Sequence, residues 1–160
     1  MAQATSELLT SLRNESVINE QPVVAVVIPC YRERQHILGV LETIPSSVAK
    51  IICVDDGCPD GTGEFISSEA KDPRVEVVRS DVNEGVGGAT MRGYQAAANS
   101  GANIVVKIDG DGQMDAAMID TLIEPVTNGS ADYAKGNRFF DLEKLQTMPK
   151  GRLIGNAILS

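Results

Sequence analysis

The sequence predicts an α/β fold, with a mostly parallel sheet wound in a Rossmann-like manner and helices on both of its faces. Short β-branched apolar runs alternate four times with segments of helical periodicity, which is typical of βαβ units. The runs are continuously apolar, as expected for strands that are buried on both faces. Each run is followed at once by polar or glycine-rich residues, and ligands bind such sheets beyond the carboxyl ends of the strands.

The apolar runs define the predicted strands. They lie at 23–28, which Pro29 closes, and at 51–54, 75–78 and 104–108, with a fifth short strand at 131–135. Helical spacing of apolar residues predicts the connecting helices at 37–44, 62–70, 89–99 and 116–126. Because parallel strands joined by crossover helices share one direction, all of these strands should end at the same edge of the sheet.

The two ends of the chain differ from this pattern. Residues 1–21 are polar, with one short amphipathic stretch at 6–14, and we interpret them as an N-terminal extension. Residues 22–160 then form one domain. The chain stops within a helical pattern at 152–160, so we expect an N-terminal fragment whose fold is incomplete.

Composition limits the possible functions. The formal net charge of −8 argues against a nucleic-acid surface, which should be basic, and the absence of Trp argues against a base-stacking platform. Three cysteines without paired spacing do not form a disulfide framework. No basic leader and no apolar run of transmembrane length is visible, so we expect a cytoplasmic chain.

Two carboxylates follow the fourth strand. Asp109 and Asp111 are separated by glycine, and Gln113 comes two residues later. If the backbone stays extended, these three side chains share one face. Clustered carboxylates repel each other unless a cation lies between them, and oxygen ligands of this kind suit Mg²⁺ or Mn²⁺ together with substrate phosphates.

Two other strand ends carry groups suited to a ligand. Asp55 and Asp56 follow the second strand, where a carboxylate can accept a hydrogen bond from a base N–H or a ribose hydroxyl. A strand-end turn explains the same residues equally well. The segment 83–88, which ends at Gly88, is glycine-rich and lets backbone approach a ligand. Its spacing departs from the dinucleotide-binding fingerprint, so it gives weak support for a Rossmann cofactor site.

The segment Asp109-Gly110-Asp111-Gly112 also occurs, with differences, in other kinds of site. An EF-hand fails, because Met114 occupies the position that requires glycine and no helix precedes the loop. A haloacid-dehalogenase-like phosphatase, with Asp109 as nucleophile, is closer but usually carries this loop on its first strand. A receiver-like signalling module, with Asp55 and Asp56 as its acidic pair, also remains open.

Taken together, the motifs resemble the family 2 glycosyltransferases of the GT-A fold. The Asp-x-Asp-x-Gln ending is most similar to the polyprenyl-phosphate branch, the dolichyl-phosphate mannose synthase-like enzymes. The resemblance departs from the family pattern at Arg32, where Asn is usual, and at Cys58-Pro59. The matching segments occur in family order at 27–33, 54–62, 83–85 with 92–93, 109–113 and 136–138.

The resemblance implies roles for individual residues. Asp109, Asp111 and Gln113 would hold Mg²⁺ or Mn²⁺, and the two aspartates would serve catalysis with Arg138. Arg138 and Arg152 would bind phosphates. The nucleotide would be bound by Pro29, Tyr31, Glu33, Asp55, Asp56, Gly88 and Asp109.

The implied activity is transfer of a sugar, with inversion, from a UDP- or GDP-linked donor to a polyprenyl phosphate or another membrane-associated acceptor. A lipid phosphate needs no general base, since it is already anionic near neutral pH. By the same resemblance, the acceptor half and any membrane attachment would lie beyond residue 160, at the cytoplasmic face of a membrane. The fragment would then bind donor without necessarily turning over.

Overall fold

The computed structural model describes residues 21–136. The expected helices at 6–14 and 152–160, together with Arg138 and Arg152, lie outside the described residues. The strands are β1 (Val24–Cys30), β2 (Val48–Asp56), β3 (Val75–Ser80) and β4 (Ile104–Lys107). The helices are α1 (Ile37–Thr43), α2 (Thr62–Glu69), α3 (Gly85–Asn99) and α4 (Ile119–Thr127), with a 3₁₀ turn at Ala116–Met118 before α4.

The strands form one parallel sheet in the order β3-β2-β1-β4. The chain therefore steps outward from β1 to β3 and then crosses to the other side of β1 with β4. This reversal of direction makes a topological switch point between β1 and β4, where open α/β sheets bind their ligands. The predicted α/β class and parallel sheet are confirmed.

Alternation along β1 divides the core between the two faces of the sheet. Val24, Val26 and Ile28 pack on the face that carries α1, α2 and the start of α4. Ala25 and Val27 pack on the opposite face against α3. Gly93 permits a close approach of α3, because a Cβ there would lie 2.2 Å from Val27 Cγ1. Helices therefore cover both faces, as predicted.

The predicted end of the first strand is wrong by two residues. β1 continues through Pro29 and Cys30, which pair with Val54 and Asp55 of β2. On its other side β1 pairs with β4 only as far as Val27. Proline is tolerated here because this part of β1 has a neighbour on one side only, as an edge strand does.

The backbone after β4 is not extended, which corrects a second expectation. Residues 109–115 form turns, and Gly112 has a φ of 74°. The extended geometry that would place Asp109, Asp111 and Gln113 on one face is therefore absent. The Asp111 side chain instead closes a local turn by accepting the Gln113 N–H at 3.0 Å.

The chain separates into two compact units, residues 1–123 and 124–160. In the second unit, the described residues end α4 and then turn, with the Ala131 N–H donating to Pro125 O at 2.9 Å. The fifth strand predicted at 131–135 is not formed, since this backbone pairs with no strand among residues 21–136. Within the same range, no helix is both long enough and apolar enough to cross a bilayer.

Candidate functional site

A cavity of about 290 Å³ opens at the carboxyl edge of the sheet. Its walls come from the end of β1 and the loop after it, from the end of β2, from the start of α3, and from the loop after β4. This is the switch-point crevice of the fold. The lining residues are Pro29, Cys30, Tyr31, Glu33, Asp56, Asn83, Gly85, Val86, Ala89, Asp109, Gly110 and Asp111.

Most of the expected site residues meet in this cavity, and three described ones do not. Asp55, Gly88 and Gln113 are outside its lining. Gly88 lies on α3, where a Cβ would meet the Glu84 side chain at 2.5 Å. The residues that the cavity does bring together are Pro29, Tyr31, Glu33, Asp56, Asp109 and Asp111.

Both carboxylate oxygens of Asp55 accept hydrogen bonds from the segment that follows β2. Its Oδ1 accepts the Cys58 N–H at 2.9 Å, and its Oδ2 accepts the Gly63 N–H at 3.1 Å. The side chain is buried, and its two hydrogen bonds hold the β2–α2 connection in place. Gly63 is required for this closure, because a Cβ there would lie 2.1 Å from Asp55 Oδ2.

Asp56 points to the opposite face of the strand, since neighbouring residues in a strand alternate. Its carboxylate is buried, and its Oδ1 accepts the Glu84 N–H at 2.9 Å. That bond anchors the amino end of α3 beside the cavity. Glu84 in turn binds Arg92 at 2.8 Å, and this contact is the main reason why the pKa of Arg92 is raised. Asp56 therefore combines a structural bond with a place in the cavity wall.

The two carboxylates after β4 are held differently. Asp109 pairs with the ammonium of Lys107, and its own N–H donates to Met114 Sδ at 3.3 Å. Asp111 lies partly exposed across Gly110, at the turn that ends at Gln113. Lys107 is the last residue of β4, and Asp109 lies two residues beyond it, at the start of the loop.

Glu33 is the third carboxylate of this cluster. Its side chain lies against Gly110, where a built Cβ would be 3.2 Å from Glu33 Cγ. Burial raises the pKa of Glu33, and the charges of Asp111 and Asp109 raise it further, while His36 opposes them. The cavity mouth therefore carries a concentration of negative potential that favours a cation.

The donor set fits a hard divalent cation. Among residues 21–136, no group of three His, Cys, Asp or Glu side chains is arranged to hold a metal ion by itself. Asp109 and Asp111 offer carboxylate oxygens at the edge of an open cavity, which suits Mg²⁺ or Mn²⁺ completed by water and ligand phosphates. A cation bound there would compete with Lys107 for Asp109.

The sequence-based site omitted several wall residues. Cys30 is buried and also lines the cavity, and its hydrogen bond with Cys53, together with burial, raises the pKa of its thiol. Val86 and Ala89 line the cavity because α3 begins at Gly85 and its first turns face the cavity. The two-residue spacing of Lys107 and Asp109 was the one available signal for their pairing.

Comparison with known proteins identifies the family. The glycosyl transferase family 2 model matches residues 25–159. The chain is 32% identical over 152 residues to a UDP-N-acetylglucosamine–dolichyl-phosphate N-acetylglucosaminyltransferase of Methanococcus voltae, covering 86% of this chain and 61% of that protein. It is 32% identical over 133 residues to a polyprenol monophosphomannose synthase of Mycolicibacterium smegmatis, covering 81% of this chain and 50% of that protein. The chain thus spans between half and three fifths of these relatives.

Solved structures show the same fold. A glucosyl-3-phosphoglycerate synthase from Mycobacterium tuberculosis, crystallised with Mn²⁺, UDP and glucosyl-3-phosphoglycerate, superposes with a TM-score of 0.54 over 68% of this chain and 40% of that one. At 24% identity, this similarity is evidence for a shared fold alone. The resemblance seen in the motifs is confirmed by the family match and by the parallel sheet. The chain belongs to glycosyl transferase family 2.

Proposed function

We propose that this chain binds a nucleoside diphosphate sugar in the cavity at the β1–β4 switch point and provides the donor side of an inverting sugar transfer. One observation carries the proposal. A buried carboxylate, Asp56, lines the cavity at the end of β2, and a pair of carboxylates, Asp109 and Asp111, lines it after β4, on the other side of β1. This distribution suits a ligand with hydrogen-bond donors at one end and phosphates at the other.

The nucleoside end is formed by Pro29, Tyr31 and Asp56. Tyr31 is exposed at the cavity wall, and the Arg32 guanidinium lies over its ring, 5.4 Å from the ring centre. The opposite face of the ring would stack against the base. Asp56 is fixed by the Glu84 N–H and accepts a hydrogen bond from a base N–H or a ribose hydroxyl. Glu33 borders the same wall. Asp55 contributes indirectly, by shaping the loop behind these groups.

The diphosphate end is formed by Asp109 and Asp111, with Gln113 as a further ligand beside them. These residues would hold Mg²⁺ or Mn²⁺, which supplies charge neutralisation for the leaving nucleoside diphosphate. No Lys or Arg lines the cavity within residues 21–136. The expected phosphate contacts of Arg138 and Arg152 lie outside the described residues and belong to the same proposal.

The acceptor in this proposal is a polyprenyl phosphate. The names of the relatives from M. voltae and M. smegmatis support it, since they specify dolichyl-phosphate and polyprenol substrates. A phosphate oxygen attacks the anomeric carbon from the side opposite the leaving diphosphate, so the configuration inverts. The acceptor is already anionic and requires no general base. The carboxylates of the cavity then act on the donor alone.

Calorimetric titration with UDP, GDP, UDP-N-acetylglucosamine and GDP-mannose, with and without Mn²⁺, tests the donor site. We expect binding that requires the metal and weakens at least about tenfold in Asp111→Asn, because a ligand charge is lost. Glu76→Gln is the matched control, since it removes an exposed carboxylate from β3. Hydrolysis of a generic phosphate ester without nucleotide binding, abolished by Asp109→Asn, would contradict the proposal and favour a phosphohydrolase.

Transfer is tested separately with vesicles that contain polyprenyl phosphate and a radiolabelled nucleotide sugar. The expected product is a lipid-linked sugar with inverted anomeric configuration. Transfer to water alone, with lipid phosphate present, would contradict the acceptor assignment while leaving the donor site intact.

A further inference from the structure

The loop after β1 is tied to the loop after β2 at two points. The Arg32 N–H donates to Cys58 Sγ at 2.9 Å, and Arg34 Nη1 donates to Asp60 O at 3.3 Å. The Arg34 guanidinium also lies 4.6 Å from the centre of the Phe65 ring on α2. Residues 31–36, which include two wall residues of the cavity, are therefore held by residues that lie outside the cavity lining.

Arg32 has an unusual backbone conformation at this junction. Its φ is 63°, and it is the sole non-glycine residue between 21 and 136 with a positive φ. For an L-residue this conformation is unfavourable, and it persists only where surrounding contacts impose it. Tyr31 and Glu33 flank Arg32 and both line the cavity. The left-handed turn at Arg32 therefore sets the directions in which these two side chains leave the backbone.

Cys58 is itself held in one orientation. Its N–H donates to Asp55 Oδ1 at 2.9 Å, and its thiol donates to Asp60 Oδ1 at 2.7 Å. The thiol contact is the main cause of the lowered pKa of Asp60, with Thr62 as the second donor. With its hydrogen directed to Asp60, the sulfur presents its lone pairs to the Arg32 N–H.

We propose that Cys58 is a positioning residue of the donor site: it accepts the Arg32 N–H, fixes the left-handed turn, and thereby places Tyr31 for the base. This rests on the proposed function, because Tyr31 is assigned there to the nucleoside. Cys58 does not line the cavity, so its effect passes through Arg32. A serine hydroxyl can both accept from Arg32 and donate to Asp60, whereas alanine and valine can do neither.

The first experiment measures affinity for UDP and GDP with Mn²⁺ in the 160-residue chain and in its Cys58 variants. We expect Cys58→Ala to weaken binding of the preferred nucleotide about fivefold, as for loss of one hydrogen bond. Cys58→Ser should stay within about twofold of wild type, because the acceptor is retained. Cys58→Val, which fills the space without accepting, should behave as Cys58→Ala does. Thermal midpoints identify any variant whose fold is lost.

A double-mutant cycle with Tyr31→Ala separates positioning from general loosening of the fold. If Cys58 acts through Tyr31, Cys58→Ala has no further effect on affinity once Tyr31 is truncated. Equal losses in both backgrounds, or weak binding by Cys58→Ser, would overturn the positioning role. Unchanged affinity in both Cys58→Ala and Cys58→Val would overturn it while the proposed function stands. Failure of the wild-type chain to bind either nucleotide would overturn both.

Discussion

Gly63 and Asp55 make one of the tightest contacts in the described fold. The Gly63 N–H donates to Asp55 Oδ2 at 3.1 Å, and a Cβ on residue 63 would lie 2.1 Å from the same oxygen. Gly63, the second residue of α2, and Asp55, the penultimate residue of β2, therefore fit together only because residue 63 has no side chain. The position of the whole β2–α2 loop depends on this contact.

Replacement of Gly63 tests that dependence. We expect Gly63→Ala to lower the free energy of unfolding by about 2–3 kcal/mol, since Asp55 is displaced and buried N–H groups lose their acceptor. Gly39→Ala is the control: it lies in α1 with nothing within 4 Å of the added Cβ, and it should stabilise by about 0.5–1 kcal/mol. Urea denaturation measures both. Equal effects of the two substitutions would contradict this account.

The two adjacent aspartates should separate stability from binding. Asp55→Asn replaces one of two accepting oxygens with a donor and should cost about 1–3 kcal/mol in unfolding free energy. Asp56→Asn keeps an oxygen for the Glu84 N–H and should have a smaller effect on stability, but it should weaken nucleotide binding about tenfold or more. Urea denaturation of each variant measures the change in unfolding free energy, and calorimetric titration of the same preparation measures the change in nucleotide affinity. The reverse assignment, binding lost in Asp55→Asn alone, would contradict the structure.

Arg74 links two loops at the amino edge of the sheet. Its guanidinium donates to Pro45 O at 2.6 Å, to Val48 O at 2.9 Å and to Ile44 O at 3.2 Å. We expect Arg74→Lys to destabilise by about 1–3 kcal/mol, because an ammonium cannot match three carbonyls and a carboxylate. Arg79→Lys, in an exposed pair with Glu64, should change stability by less than about 0.5 kcal/mol. Nucleotide affinity should be unchanged in both variants.

Asp72 gives a pH-dependent contribution to stability. Hydrogen bonds from Arg74 hold the pKa of Asp72 below its ordinary value of 3.8. The unfolded chain therefore binds the proton more readily, and the stabilisation is complete above pH 3.8 and lost as the pH falls through the folded-state pKa. We expect the stability difference between wild type and Asp72→Asn to be constant from pH 5 to 7 and to shrink below about pH 4. A difference that is independent of pH would exclude this linkage.

Glu33 should behave in the opposite sense. Burial and the charges of Asp111 and Asp109 raise its pKa above the ordinary 4.5, so the folded chain holds this proton more tightly than the unfolded chain. Stability is therefore lost as the pH rises through the folded-state pKa. In metal-free buffer, Glu33→Gln should raise the melting temperature at pH 7.5 by about 1–2 °C and have little effect at pH 4. A melting temperature of Glu33→Gln below that of wild type at pH 7.5 would contradict this destabilising effect of the Glu33 charge.

The strands were predictable because buried parallel strands are continuously apolar, but their ends were less so. An apolar run does not reveal where pairing stops, and β2 extends well beyond 51–54 at both ends. The turn at Asp109–Gln113 depends on the φ of Gly112, which spacing alone does not give. Strand ends are set by neighbouring backbone, and such neighbours are distant in sequence.

The cavity was predictable in outline from the polar groups that follow each strand. The separate roles of Asp55 and Asp56 could be predicted from the sequence, because strand alternation places Asp55 on the face of Cys53 and Asp56 on the face of Val54. The contact of Cys58 with Arg32 could not be predicted from the sequence, because it spans 26 residues and depends on a rare backbone conformation.

Pro29 has a consequence for the existence of the cavity. Val23 and Val27 direct their carbonyls to the β4 side, so Pro29, with the same parity, directs its ring nitrogen there as well. That nitrogen has no hydrogen to offer to a longer β4. The sheet is thereby interrupted on one side of β1, and the missing strand leaves the space that the ligand would fill. Pro29→Ala would restore a donor and make strand extension into this space possible, at the expense of room for the nucleotide.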